Sequence, residues 1–158
     1  MIKKENNKWI FTISGLFIFC IITYYLWMKF RPVEVIGVYG HSDIIIKNPP
    51  ITDKGKITWW QDNKDIIQAK YGTPKYDING TFSVTIWDFG DGYENYREGS
   101  HFEIPAPEFY CFDDAKINCL DKENEIVTIY KTSGGIIKYV TNDTSYNQRE
   151  NGEIVKEY

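Results

Sequence analysis

The residues best suited to chemistry lie in one short segment, WDFGDGYENYREG at positions 87–99. Asp88, Asp91 and Glu94 carry carboxylates and a glycine stands between each pair, so a calcium loop is one interpretation. The spacing lacks the D-x-[DN]-x-[DN]-G pattern with a following glutamate that an EF-hand loop requires. We therefore predict a tight glycine turn here and no metal site.

Motifs of the common catalytic families are missing from the sequence. It contains no G-x-S-x-G, Walker loop or H-E-x-x-H, and neither His41 nor His101 has an evident serine or cysteine partner. Asp113 and Asp114 could be imagined as an acid–base pair, but adjacent carboxylates usually face solvent and share no reacting atom. We predict a protein that is not an enzyme and uses no cofactor, and an enzyme acting on cell-wall sugars or peptides stays a third possibility.

Negative charge is concentrated in one part of the chain. Segment 88–125 holds 11 acidic and three basic side chains, and the net charge of −4 for the whole chain argues against nucleic acid as a partner. We predict a surface that binds a protein, either a basic toxin or an envelope membrane protein. Its electrostatic contacts and aromatic anchors would be Asp88, Asp91, Glu94, Asp113, Asp114, Tyr93, Tyr96 and Tyr110. The alternative interpretation is a solvated acidic loop that aids solubility.

The N-terminal segment predicts attachment to a membrane. Residues 9–28 carry no charge, and at about 1.5 Å per residue they are long enough to cross a hydrocarbon core of about 30 Å. A cleaved signal peptide is the alternative, but signal peptides have a shorter apolar region than this segment, followed by a cleavage site of small residues. Three lysines before the span and two basic residues after it favour a cytoplasmic N-terminus. We predict a cytoplasmic tail 1–8, a transmembrane helix 9–28 and a periplasmic domain 33–158.

Two of the three cysteines are spaced for a short disulfide loop. Cys111 and Cys119 stand eight positions apart in CFDDAKINC. Such a bond needs an oxidising compartment such as the periplasm, and it would contribute about 2.5 kcal/mol to stability. Two buried free thiols are the alternative, and a zinc site is disfavoured because neither histidine has ligand spacing to the cysteines.

Periodicity in the rest of the chain predicts an α+β fold. Positions 33–39 and 43–47 predict paired strands, and the alternation in TFSVTIWDF predicts a half-buried strand. A helix is predicted that begins after Thr52 or Asp53 as its N-cap and is ended by Gly72 and Pro74. Its residues at alternating spacings of three and four form one stripe: Ile57, Trp60, Lys64, Ile67 and Tyr71. Turns at TSGG and at Asn151-Gly152 predict a β meander in the C-terminal third. One main helix packed on a mostly antiparallel sheet is the simplest architecture for this order.

Four runs of sequence together carry a family resemblance: FRPVEVIGV, NPPITDKGKITWW, IWDFGDGY, and CFDD with a second cysteine after it. With the apolar span before them, they resemble domain-of-unknown-function family 943, a family of enterobacterial inner-membrane proteins. The resemblance implies an inner-membrane anchor and a periplasmic domain, and it brings no established activity and no catalytic residues. Members of the family tend to occur as small divergent paralogues, a pattern associated with immunity proteins.

Two functions from different classes follow as hypotheses. The first is an immunity protein that neutralises, by occlusion, a toxin delivered by neighbouring bacteria. The alternative is a non-catalytic accessory subunit of an envelope membrane complex. In that case Ser14 and Gly15 would allow another membrane helix to approach closely.

Overall fold

The computed structural model describes residues 3–29, 31–95, 108–114 and 117–157, and the chain divides into two units, Met1–Pro32 and Val33–Tyr158. The first unit contains helix α1 (Lys3–Lys29). Within it, Trp9–Trp27 is long and apolar enough to span a membrane. Every side chain of that stretch is exposed, which leaves all of them available to lipid.

In its described residues, the second unit combines one long helix with two sheets. Its described elements are β1 (Glu34–Tyr39), β2 (Asp43–Lys47), α2 (Asp53–Tyr71), β3 (Phe82–Asp88), β4 (Phe109–Cys111), β5 (Cys119–Asp121), a 3-10 turn (Lys122–Asn124), β6 (Glu125–Lys131), β7 (Ile137–Val140), β8 (Ser145–Gln148) and β9 (Ile154–Lys156). Seven strands form one sheet in the order β1-β2-β3-β6-β7-β8-β9, and β4 pairs with β5 in a second, smaller one. The predicted α+β class, the β1–β2 pair and the C-terminal meander are confirmed.

Helix α2 begins and ends where its capping residues predict. The Thr52 side chain accepts a hydrogen bond from the Gly55 N–H at 3.1 Å, which satisfies one of the free donors of the first turn. Gly72 ends the helix with a left-handed φ of 70°, a conformation that costs glycine little. Of the predicted stripe, Ile57, Trp60 and Ile67 are buried against the sheet.

Helix α2 also connects the two strands of the one parallel pair that the described residues contain. Strands β2 and β3 are hydrogen-bonded neighbours and run in the same direction, with Ile44 opposite Ile86. Parallel neighbours need a crossover connection, and α2 provides it. The sheet is therefore mostly antiparallel, as predicted, with a β2-α2-β3 unit that the sequence patterns did not reveal.

The apolar side chains of the large sheet divide between its two faces. Ile44, Ile46, Val84 and Ile86 pack with Trp60 of α2 in the main core. Ile45 and Trp87, which alternate with them along β2 and β3, belong to a second cluster together with Leu120 of β5. Since successive strand residues point to opposite faces, α2 covers one face and the small β4–β5 sheet packs on the other.

Candidate binding surface

The small sheet is held together by a disulfide bond. Cys111 and Cys119 stand directly opposite each other in the β4–β5 pair, and their sulfur atoms are bonded at 2.05 Å. The predicted disulfide is confirmed, and the alternative of two free thiols is wrong. We call β4, β5 and this bond the disulfide hairpin.

The segment before the hairpin is fastened to it through the backbone. Glu94 donates its N–H to the Cys119 carbonyl at 2.9 Å and accepts the Cys119 N–H at 3.1 Å. This bridge places Glu94 beside the disulfide, with Cys119 itself fully buried. A cross-linked hairpin with a third paired segment is a rigid platform, because its backbone polar groups are paired within the molecule.

A buried carboxylate supports the platform from below. Asp43 is only 9% exposed, and it accepts a hydrogen bond from the Trp87 indole N–H at 2.9 Å and another from the Ser42 hydroxyl at 2.8 Å. Such a group costs free energy to bury unless it is hydrogen-bonded, so these donors explain how the strand tolerates it. The Asp43 carboxylate in turn fixes the Trp87 ring in one orientation.

Tyr110 of the hairpin lies on that fixed ring. The two rings are stacked with their centroids 5.0 Å apart and their planes 17° from parallel, while Tyr110 stays 40% exposed. Burial raises the pKa of Tyr110 above its ordinary value, and the negative charge of Asp43 and a hydrogen bond with it act in the same direction. Tyr110 is therefore a neutral, partly exposed ring held in a fixed orientation.

Tyr93 is used mainly inside the molecule. Its hydroxyl is 3.0 Å from the hydroxyl of Tyr39, and the two rings meet edge to face. Burial raises the pKa of Tyr93 well above its ordinary value, and the hydrogen bond to Tyr39 and the charge of Asp113 raise it further. Tyr93 therefore supports the platform more than it offers contact area, and Tyr96 lies outside the described residues.

The predicted acidic residues fall into two groups. Asp88 accepts the Gly90 N–H at 3.0 Å, and Asp113 accepts from the Ile117 N–H and the Asn118 side-chain amide at 3.2 and 2.6 Å. These two carboxylates shape turns. Asp91, Glu94 and Asp114 are exposed instead, so their charges face solvent.

The segment predicted to form a glycine turn does so. Gly90 and Gly92 both have positive φ, at 50° and 114°, and the Gly92 N–H is donated to the Phe89 carbonyl. Within the described part of the chain, no cluster of three or more histidine, cysteine or acidic residues has the geometry to hold a metal ion.

The residues that the sequence patterns missed are Asp43 and Trp87. A signal for both existed: Asp43 is the one acid in the apolar run DIIIK, and Trp87 follows Ile86 and so points away from the helix side of β3. Neither signal names the partner, because the two residues are 44 positions apart in the chain.

The described residues contain one apolar helix long enough to cross a membrane, followed by a disulfide-bonded α+β unit, an arrangement that fits the class of membrane proteins with a candidate N-terminal span. The chain belongs to the family described as "Enterobacterial putative membrane protein (DUF943)", whose model matches residues 3–158. The family predicted from the four sequence runs is therefore confirmed. Neither the curated proteins nor the solved structures provide a match to this chain.

Proposed function

We propose that this protein is an immunity protein of the bacterial inner membrane. In this proposal the N-terminus is cytoplasmic, α1 anchors the chain, and the folded unit lies in the periplasm. There it binds a basic toxin delivered by neighbouring bacteria and neutralises it by occlusion, without catalysis.

One observation carries the proposal: the disulfide hairpin carries a partly exposed, stacked tyrosine, and exposed carboxylates stand in the loop between its strands and in the segment bridged to it. Glu94 and Asp114 are exposed on this platform, and Tyr110 rests on Trp87. Tyrosine is enriched among the residues that contribute most binding energy at protein interfaces, and nearby charges accelerate capture of an oppositely charged partner. A rigid platform also lowers the entropy cost of binding.

A contact-dependent competition tests this proposal. A strain that lacks the gene is grown in dense contact with unmodified siblings, and the same mixture is kept apart by a filter. We expect death only on contact, and rescue when the gene is restored. Equal survival in the two conditions would contradict the immunity function.

Charge reversal locates the surface in the same assay. The variant Asp91→Lys/Glu94→Lys/Asp114→Lys changes exposed acids that make no side-chain hydrogen bond or ion pair in the described part of the chain. A matched control reverses three exposed acids elsewhere in the folded unit, Asp62, Asp143 and Glu150. We expect the first variant to lose rescue and the control to keep it, and equal rescue by both would exclude this surface.

The second candidate is an accessory subunit of an envelope membrane complex, for which α1 supplies the observation. Ser14 and Gly15 stand side by side in α1 as exposed small residues, which allow another membrane helix to approach closely. Replacing the span with an unrelated apolar helix distinguishes the two functions. Immunity is expected to survive the exchange, whereas an assembly role is expected to be lost.

A further inference from the structure

Two apolar stripes of the folded unit are each interrupted by a lysine. Lys64 stands in the α2 stripe between Trp60 and Ile67, both of which are buried. Lys131 follows Val127 and Ile129 at two-residue spacing along β6, on the face that packs against α2. Lys64 itself is exposed, whereas Lys131 is half-buried, a position in which lysine is uncommon unless its charge has a partner.

Both lysines line the same cleft. It has a volume of about 110 Å³ and lies between α2, the segment that follows the helix, and the adjacent ends of β3, β6 and β7. Phe82, Lys131 and Ile137 are neighbours across these three strands. The cleft therefore forms where the helix stripe and the sheet stripe come together.

Four aromatic side chains line the cleft together with Gln68, Pro74 and Ile137: Trp60, Tyr76, Phe82 and Tyr139. Trp60 and Tyr139 are buried, and Tyr139 donates its hydroxyl to Gln148 at 2.8 Å. Tyr76 packs edge to face on Phe82 with the centroids 5.3 Å apart. The turn after Tyr76 is tied by Asp77, which accepts the N–H groups of Asn79 and Thr81, each at 2.8 Å.

The charge at this cleft is positive. Among the described residues that line it, Asp65 is the one acid, against Lys64 and Lys131. Neither lysine makes a salt bridge or a side-chain hydrogen bond with any described residue. Lys131 is moreover half-buried, which makes an anionic partner more favourable than at a fully solvated lysine.

We propose that this cleft binds a small apolar carboxylate, with the apolar group between the aromatic walls and the carboxylate at Lys64 and Lys131. Drug-sized ligands need pockets of roughly 300 Å³ or more, so about 110 Å³ limits the apolar group to one ring or one branched chain. The same chemistry is found in a free small-molecule carboxylate and in the C-terminal residue of a peptide. The cleft lies on the α2 side of the sheet, so this proposal is independent of the immunity function.

Ligand-observed ¹⁹F NMR with the full-length protein in detergent micelles tests the proposal. The probes are 4-fluorobenzoate, its neutral analogue 4-fluorobenzamide, and N-acetyl-4-fluorophenylalanine, each compared with empty micelles. We expect 4-fluorobenzoate to bind roughly tenfold more tightly than 4-fluorobenzamide, since each lysine contact is worth up to about fivefold in affinity. Tighter binding of the acetylated amino acid would indicate a peptide C-terminus as the ligand, and tighter binding of benzoate would indicate a free carboxylate.

Variants connect this binding to the cleft. Lys64→Gln/Lys131→Gln is expected to weaken benzoate roughly tenfold and to leave benzamide unchanged. Lys47→Gln/Lys54→Gln removes the same charge from exposed lysines outside the cleft and is expected to bind as the natural protein does. Tyr76→Ala, which removes a wall at an exposed position, is expected to weaken all the probes. Equal binding of benzoate and benzamide, no binding beyond that of micelles, or an equal effect of the two lysine pairs would overturn the proposal.

Discussion

The hydrogen bond between Asp43 and Trp87 is the part of the candidate surface whose energy can be worked out most directly. In Asp43→Ala the Trp87 indole N–H, on a side chain only 4% exposed, loses its acceptor. An unsatisfied buried donor costs about 1–3 kcal/mol, and relief of the buried carboxylate offsets part of that cost. We expect Asp43→Ala to lower the free energy of unfolding by about 2 kcal/mol.

A double-mutant cycle separates this bond from the other contacts of the two residues. Trp87→Phe removes the N–H while keeping an aromatic ring beneath Tyr110. Because a hydrogen bond to a charged group contributes about 1.5–3 kcal/mol, we expect a coupling energy in that range between the two substitutions. Ser42→Ala serves as the control, because it removes a different hydrogen bond to Asp43 and leaves the one from Trp87 in place.

The measurement is chemical unfolding of the full-length protein in detergent, followed by near-ultraviolet circular dichroism, which reports the aromatic packing of the folded unit. A coupling energy below about 0.5 kcal/mol would refute the claim that Asp43 fixes the Trp87 ring. Titration of Tyr110 gives a second readout in Asp43→Asn. We expect its pKa to fall toward the ordinary value, because part of the upward shift comes from the Asp43 charge.

Three further predictions concern stability. Burial alone would raise the pKa of Asp53, but hydrogen bonds from Thr141, Tyr146 and Lys56 outweigh it and lower the pKa below 3.8. The ionised carboxylate therefore stabilises the fold above that pH. Between about pH 5 and pH 2, the unfolding free energy of Asp53→Asn is expected to fall less than that of the natural protein. An equal fall in both proteins would contradict this. Because the pKa of Tyr93 is raised, its neutral hydroxyl contributes to the unfolding free energy below about pH 10, and this contribution is lost as the pH rises further. Tyr93→Phe is therefore expected to show a smaller decline in unfolding free energy at alkaline pH. Replacing Cys111 and Cys119 by serine is expected to lower the unfolding free energy by about 2.5 kcal/mol, and an unchanged denaturation midpoint would count against the bond as a stabilising element.

Local features of the fold were accessible from the sequence because their causes are local. Thr52 and Gly72 mark the ends of α2, and the TSGG and Asn151-Gly152 turns join strands that are adjacent in the chain. The parallel β2–β3 pair was not accessible in the same way. Its strands are separated by the whole of α2, and no residue in either strand encodes the direction of its partner.

The sequence predicted the composition of the candidate surface, but it did not predict which of its residues face solvent and which make contacts inside the molecule. The acidic character of segment 88–125 is a property of the sequence, but Asp113 shapes a turn while Asp114 faces solvent. Tyr93 and Tyr110 looked equivalent, yet one bonds Tyr39 and the other remains 40% exposed. The difference depends on contacts across the sheet, which alternation within a single strand does not reveal.

Strand β2 explains why the molecule has two separate candidate sites. Its residues from Asp43 to Ile46 are all buried, which is typical of a strand covered on both faces. Helix α2 covers Ile44 and Ile46, and Leu120 of the disulfide hairpin packs with Ile45 on the other face. The disulfide hairpin therefore carries the acidic surface on one side of the sheet, and α2 lines the cleft with the two lysines on the other side. Because the sheet lies between them, substitutions in the cleft and on the hairpin are expected to be additive, and a coupling between them would show that the sheet transmits binding from one face to the other.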